Sequence, residues 1–159
     1  GTTLRGLQAV YHLDAADFLK FVHDIPLDQY LIKDENLNAT LALFPERKVI
    51  FTNADTRHAK NVLCTLGVEH HFQSIIDIMQ IDPFCKPLPE AFQKAIELAN
   101  IHETSACVMI DDSSRNPKVA RELGFFTIKV GSENREDFVD AAIATIYDLP
   151  LVIPVGRTL

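Results

Sequence analysis

The sequence predicts an α/β fold with a mainly parallel sheet flanked by helices and a small helical cap. Two observations carry this. From Lys48 onward, short apolar runs alternate with amphipathic stretches of helical period, a pattern that calls for crossover connections and parallel strand pairing. The apolar runs also stop abruptly on polar residues, most plainly at Cys107-Val108-Met109-Ile110-Asp111-Asp112. Parallel α/β sheets keep their ligands outside the carboxyl ends of their strands.

The elements follow in order. The first segment, to about Pro26, is helical: in Asp14–Ile25 the residues Phe18, Phe21, Val22 and Ile25 recur at helical spacing, with Asp14 as N-cap. A second helical stretch runs from about Glu35 to Phe44 and stops at Pro45. Lys48–Phe51 is a strand, and Thr56–Leu66 a helix closed by Gly67 as its C′ residue. Ser74–Ile78 is the next strand. Pro89 opens a helix running to Asn100, since its missing N–H and fixed φ suit a first turn. Ala106–Ile110 is a strand, about Pro117–Leu123 a helix ended by Gly124, and Phe125–Val130 a further strand. Ala144–Tyr147 is either a last short strand or the end of a helix. Residues 1–27 form part of the cap and residues 28–159 the Rossmann-like core. Core packing is the expected role of Tyr11 and Phe18, with contact to a base as the other reading.

The chain is 159 residues long, one domain's worth, with a hydrophobic share of 47% and a charged share of 23%, as in an ordinary globular protein. A net charge of −7 argues against a nucleic-acid polymer or a membrane surface as the partner. It does not exclude an anionic small molecule, because one lysine and a cation make a local positive site. No apolar run approaches the ~20 residues of a membrane helix, and no signal peptide opens the sequence. Cys64, Cys85 and Cys107 are odd in number and far apart, which suits a reducing cytoplasm. Cys64 and Cys107 are expected to be packing residues. The adjacent His70 and His71 are expected to point apart on the surface.

Three strand-end signals carry candidate chemistry. In Val49-Ile50-Phe51-Thr52-Asn53-Ala54 a hydroxyl and an amide follow an apolar strand. In Cys85-Lys86-Pro87 a lone lysine stands ahead of a helix. In Asp111-Asp112-Ser113-Ser114-Arg115-Asn116 two adjacent acids are followed by an amide. The acids repel one another, so a cation is expected beside them, and carboxylate oxygens suit Mg²⁺. If the substrate is a phosphate ester, Thr52 and nearby backbone N–H groups bind phosphate at a helix start. Lys86 then neutralises the transferring group, and Mg²⁺ shields it. Each signal alone is better read as an ordinary cap, a solvated charge or an acidic turn; their joint order favours function.

Phe51-Thr52-Asn53-Ala54, Lys86-Pro87 and Ile110-Asp111-Asp112-Ser113 resemble the second, third and fourth motifs of the haloacid dehalogenase-like hydrolases. The likeness is greatest to the pyrimidine 5′-nucleotidase-like branch, and Gly1–Leu7 is similar to that branch's helical cap. The resemblance implies Mg²⁺-dependent hydrolysis of a phosphomonoester through an aspartyl-phosphate. A small phosphorylated metabolite, such as a pyrimidine nucleoside monophosphate, is the implied substrate. It implies that Thr52, Asn53 and Lys86 contact phosphate, with Thr52 and Lys86 acting in catalysis. Asp112 holds Mg²⁺ directly, with Asp111 as the outer or second acid. Asn116 orients Lys86 or the acids, and Ser113 extends that network.

The family's first motif, an Asp-x-Asp-x-Thr that supplies the nucleophile on a central strand, is absent from these residues. Asp14 and Asp17 are three apart in a helical context and do not replace it. Without that aspartate this covalent route has no attacking group, so the nucleophile and its strand are expected upstream of residue 1. The alternative is a catalytically inactive binding or scaffold protein on the same fold. A phosphorelay receiver domain places its acid pair first and its lysine last, the reverse of the order here. A dinucleotide fold needs a Gly-rich turn that is missing.

Overall fold

A computed structural model describes residues 2–154; Gly1 and residues 155–159, at the outer ends of the expected cap and core, lie outside them. The helices are α1 (Thr3–Tyr11), α2 (Ala15–Val22), α3 (Glu35–Ala42), α4 (Thr56–Leu66), α5 (Pro89–Leu98), α6 (Arg115–Glu122) and α7 (Leu149–Val152). The strands are β1 (Val49–Phe51), β2 (Ser74–Ile76), β3 (Val108–Asp111), β4 (Phe126–Val130) and β5 (Ala141–Ile143). Every pairing among the described residues is parallel, and the strands form two sheets, β1-β2 and β3-β4-β5. The chain divides into two compact units. One holds the residues up to Glu35 with Arg47–Ala99; the other holds Asn36–Glu46 with the residues from Asn100 on.

In the first unit, local chemistry sets the helix ends. Asp14 caps α2 by accepting from Asp17 N–H at 2.9 Å, and Asp55 caps α4 by accepting from His58 N–H at 2.8 Å. The expected closure of α4 at Gly67 is present, with φ at 75°. A Cβ at that position would stand 2.9 Å from the Lys33 side chain, so both backbone and space ask for glycine. The expected helix over the first segment is two helices, broken where His12 takes a left-handed conformation. Leu4, Ala15, Leu19, Ile78 and Cys85 make a buried cluster, and Phe18 packs against it. Tyr11 does not join that core: it is 72% exposed.

β2 ends two residues earlier than the apolar run Ile75–Ile78 suggests, because Asp77 takes over the local donors. Its buried carboxylate accepts from Thr56 N–H (2.8 Å), Thr56 Oγ1 (2.6 Å), Met79 N–H (3.0 Å) and Gln80 N–H (2.9 Å). One side chain thus stops a strand, closes a turn and steadies the first turn of α4. Removing it would strand buried donors. Asp77→Ala is expected to lower unfolding free energy by about 2–4 kcal/mol, measured by urea denaturation. An unchanged midpoint would mean water replaces the carboxylate at no cost.

In the second unit, Phe44, Ile128, Ile143 and Leu149 form the buried cluster, with Val108, Ile110 and Val130 against it. α6 packs on β3 and β4. Around the tail the structure departs from expectation in detail. The last strand is Ala141–Ile143, and Ile146–Asp148 is a short 3-10 helix capped by Thr145. The cysteine and histidine expectations also change. Cys64 is exposed, its thiol donating to Glu69 at 3.0 Å, whereas Cys85 is the buried one. His70 and His71 lie on a tight 3-10 turn that brings their rings to 4.1 Å, so they do not point apart.

Candidate active site

In the first unit the chain leaves β1 at Phe51. Thr52 N–H still donates to Ile76 O at 2.9 Å, so Thr52 stands one step beyond the β1-β2 ladder with its position fixed. Its Oγ1 accepts from Ala54 N–H at 3.0 Å, which uses a lone pair and leaves the hydroxyl proton to donate. Asn53 turns toward the lysine segment. Its Oδ1 accepts from Lys86 N–H at 2.8 Å and its Nδ2 donates to Lys86 O at 3.0 Å. The carboxamide expected among phosphate contacts is therefore engaged with the Lys86 backbone, where it acts like a strand partner. Lys86 Nζ donates to Phe51 O at 2.8 Å and lies 5.1 Å from the Phe51 ring centroid. That ring is braced edge-on by Phe92 at 5.2 Å. Thr52, Asn53 and Lys86, far apart in sequence, meet at the carboxyl end of β1.

A second cluster in this unit is not singled out by the sequence reading. Just past Thr52, Asp55 receives the His23 ring as a hydrogen-bond partner, and the rings of His23 and His58 stack at 4.1 Å. Burial, and then the neighbouring His23, push His58 below the usual imidazole range, with Asp55 opposing. Burial alone would raise the Asp55 carboxyl, but the His58 N–H and the His23 ring outweigh it and hold it low. The cluster ties the end of α2 to the start of α4. The only sequence signal for it is a capping aspartate three residues ahead of a histidine.

In the second unit β3 ends on Asp111. Its Oδ1 accepts from Ser113 N–H at 2.9 Å, and Asn116 Nδ2 donates to both carboxylate oxygens at 2.9 and 3.0 Å. Asp112 follows and is exposed. Ser113 Oγ accepts from Arg115 N–H at 3.4 Å, holding the turn into α6. The four residues thus gather at one strand end, one acid oriented by an amide and the other open to solvent. Beside them, Glu136 takes Lys129 as an ion pair and accepts from Ser114 Oγ at 2.6 Å. The Lys129 ammonium, and then the Ser114 hydroxyl, hold the Glu136 carboxyl below the usual range.

Parallel βα units whose strands end in a hydroxyl, a lysine and an acid pair define an α/β protein with its polar machinery on the carboxyl ends of its strands. Residues 5–124 match the family model of the haloacid dehalogenase-like hydrolases, and the chain belongs to that family. Solved structures similar to it bear out the fold. An L-2-haloacid dehalogenase from Xanthobacter autotrophicus superposes with a TM-score of 0.61 at 16% identity, over 74% of this chain and 58% of that one. A haloacid dehalogenase-like protein of unknown function from Agrobacterium tumefaciens gives 0.64 at 16% identity, over 95% and 82%. A phosphatase of this superfamily from Thermococcus onnurineus gives 0.63 at 21% identity, over 92% and 67%. The chain spans 58% of the length of the Xanthobacter dehalogenase. Among the described residues no helix is long and apolar enough to cross a membrane.

Proposed function

We propose that the protein is a Mg²⁺-dependent phosphomonoester hydrolase, with residues 1–27 as part of a substrate-facing cap. The observation that carries this reading is the pairing of chemistries at strand ends. A hydroxyl, backbone amides and an ammonium cluster after β1, and two carboxylates follow β3. The first set suits an anion and the second suits a cation, and a metal-assisted phosphoryl transfer needs both.

The acid pair fits Mg²⁺ by its donors. Asp111 and Asp112 offer hard oxygens, and among the described residues no third Asp, Glu, His or Cys joins them in a metal-sized group. Mg²⁺ is held by one or two carboxylates, with water and substrate phosphate completing its shell. Asp112, the exposed acid, is the direct ligand in this reading, and Asp111, held by Asn116, the supporting one. The ion bound there supplies charge neutralisation to phosphate oxygens. The chain's own part is to hold the phosphate. Thr52 donates its hydroxyl, and Lys86 places a compact positive charge on a stem anchored to Phe51 and Asn53.

The route assigned is an aspartyl-phosphate one, and its attacking carboxylate is none of residues 1–159. We assign it to a part of the protein outside them. A small phosphorylated metabolite is the substrate class, in keeping with the net charge of −7, which disfavours nucleic-acid polymers. The motifs around Thr52, Lys86 and Asp111 point to a nucleoside monophosphate, pyrimidine first. Missing the Asp-x-Asp-x-Thr motif favours one rival, an inactive binding protein of the same fold. The deciding assay is phosphate release from p-nitrophenyl phosphate and uridine monophosphate by the protein at its natural length. Release that needs Mg²⁺ is expected. Silence with every divalent ion and ester tested would leave the inactive homologue standing.

A further inference from the structure

The lysine beside the acid pair is turned away from it. Asp111 and Lys129 are direct partners in the parallel β3-β4 register, so their Cα atoms are about 5 Å apart and their side chains leave the same face of the sheet. An unpaired ammonium at Lys129 would be drawn to Asp111, lowering the charge available to a bound cation and repelling that cation directly. Instead its Nζ is paired with Glu136 Oε1, from the segment after β4. The same oxygen accepts from Ser114 Oγ at 2.6 Å, two residues past Asp112. One carboxylate therefore restrains both the neighbouring cation and the loop that bears the acids. Lys129 and Glu136 are both half-buried, so solvent screens the pair less than it would on an open surface.

We infer that Glu136 is a positioning residue for the cation site, neutralising Lys129 so that Asp111 and Asp112 keep their full negative charge for Mg²⁺. This rests on the assignment of those two acids to Mg²⁺. Glu136 touches neither the ion nor the phosphate; it acts through Lys129 and Ser114.

The test is calorimetric titration of the natural-length protein with MgCl₂, which reads binding and not turnover. Glu136→Gln keeps an oxygen for Ser114 and removes the charge. It is expected to weaken Mg²⁺ binding about tenfold, the scale of an outer-shell change. Lys129→Gln is expected to tighten binding, and Glu136→Gln combined with Lys129→Gln to return it close to the wild-type value. That reversal separates the charge role from a structural one, since a merely structural glutamate would not be rescued by neutralising a lysine. Equal affinity in Glu136→Gln and wild type, or no recovery in the double variant, overturns the inference. If Glu136→Gln does not fold, the sign in Lys129→Gln decides: tighter binding supports the inference, unchanged or weaker binding overturns it. Asp112→Ala serves as the reference. Wild type that binds no Mg²⁺, or Asp112→Ala that binds it equally well, defeats the assignment of the acids and not the role of Glu136 alone.

Discussion

Asp112→Ala is expected to reduce Mg²⁺-dependent phosphate release by at least about a hundredfold, since loss of an outer-shell partner alone costs 10–100-fold in metal affinity or activity. The fold should not notice. Asp112 is exposed, and surface substitutions of that kind shift stability by about 0.5 kcal/mol or less. Asp111→Ala makes the contrast. It removes the acceptor of Ser113 N–H and leaves the Asn116 amide, which donates at 2.9 and 3.0 Å, without its partner. That variant should lose both activity and some stability. Paired thermal melts and Mg²⁺ titrations of the two variants check the distinction. Full turnover in Asp112→Ala would remove the acid pair from the chemistry and with it the phosphatase reading.

Where local chemistry decides an element, its bounds are legible in the sequence. α4 runs Thr56–Leu66 as expected because a capping aspartate precedes it and Gly67 ends it in the left-handed region. Elements decided by partners are less legible. β2 loses Asp77 and Ile78 because a buried carboxylate collects four donors, a set assembled from α4 and a turn. β5 is three residues of weak strand character, Ala141–Ile143, and exists through its pairing with Ile128–Val130. Its propensity carries little, and its neighbour carries the rest.

The same division holds for the candidate site. Thr52, Lys86 and the acids stand out because polar residues interrupt apolar runs. What Asn53 does is not visible in spacing, because its carboxamide meets a backbone 33 residues away. The ion pair of Lys129 with Glu136 is equally hidden: the lysine sits in the strand run Phe126–Val130 and the glutamate in a polar loop. Positions that bear reactive groups are readable from residue type, whereas the groups that aim them are read only from contacts.

Lys86→Ala is the second large effect. Its backbone N–H and carbonyl are both bound by Asn53, so truncating the side chain leaves the segment where it is and deletes only the charge. The lost contacts are one hydrogen bond to Phe51 O and a cation over the Phe51 ring. The latter is worth about 0.5–1 kcal/mol at an exposed site, so the melting temperature should fall modestly. Activity should fall much further. A positive group aimed at developing phosphoryl charge is worth about 10²–10³ in rate, and kcat and KM for the phosphoester should both worsen. Lys86→Arg should not restore the rate, because a planar guanidinium cannot take the place of a compact ammonium seated on a carbonyl oxygen. Asn53→Ala supplies the converse case: the charge remains but its anchor is gone, so kcat should drop while some phosphate affinity survives. If Lys86→Ala left kcat/KM within a factor of two, Lys86 would be a packing residue of β1, and phosphate binding would have to rest on Thr52 and backbone amides alone.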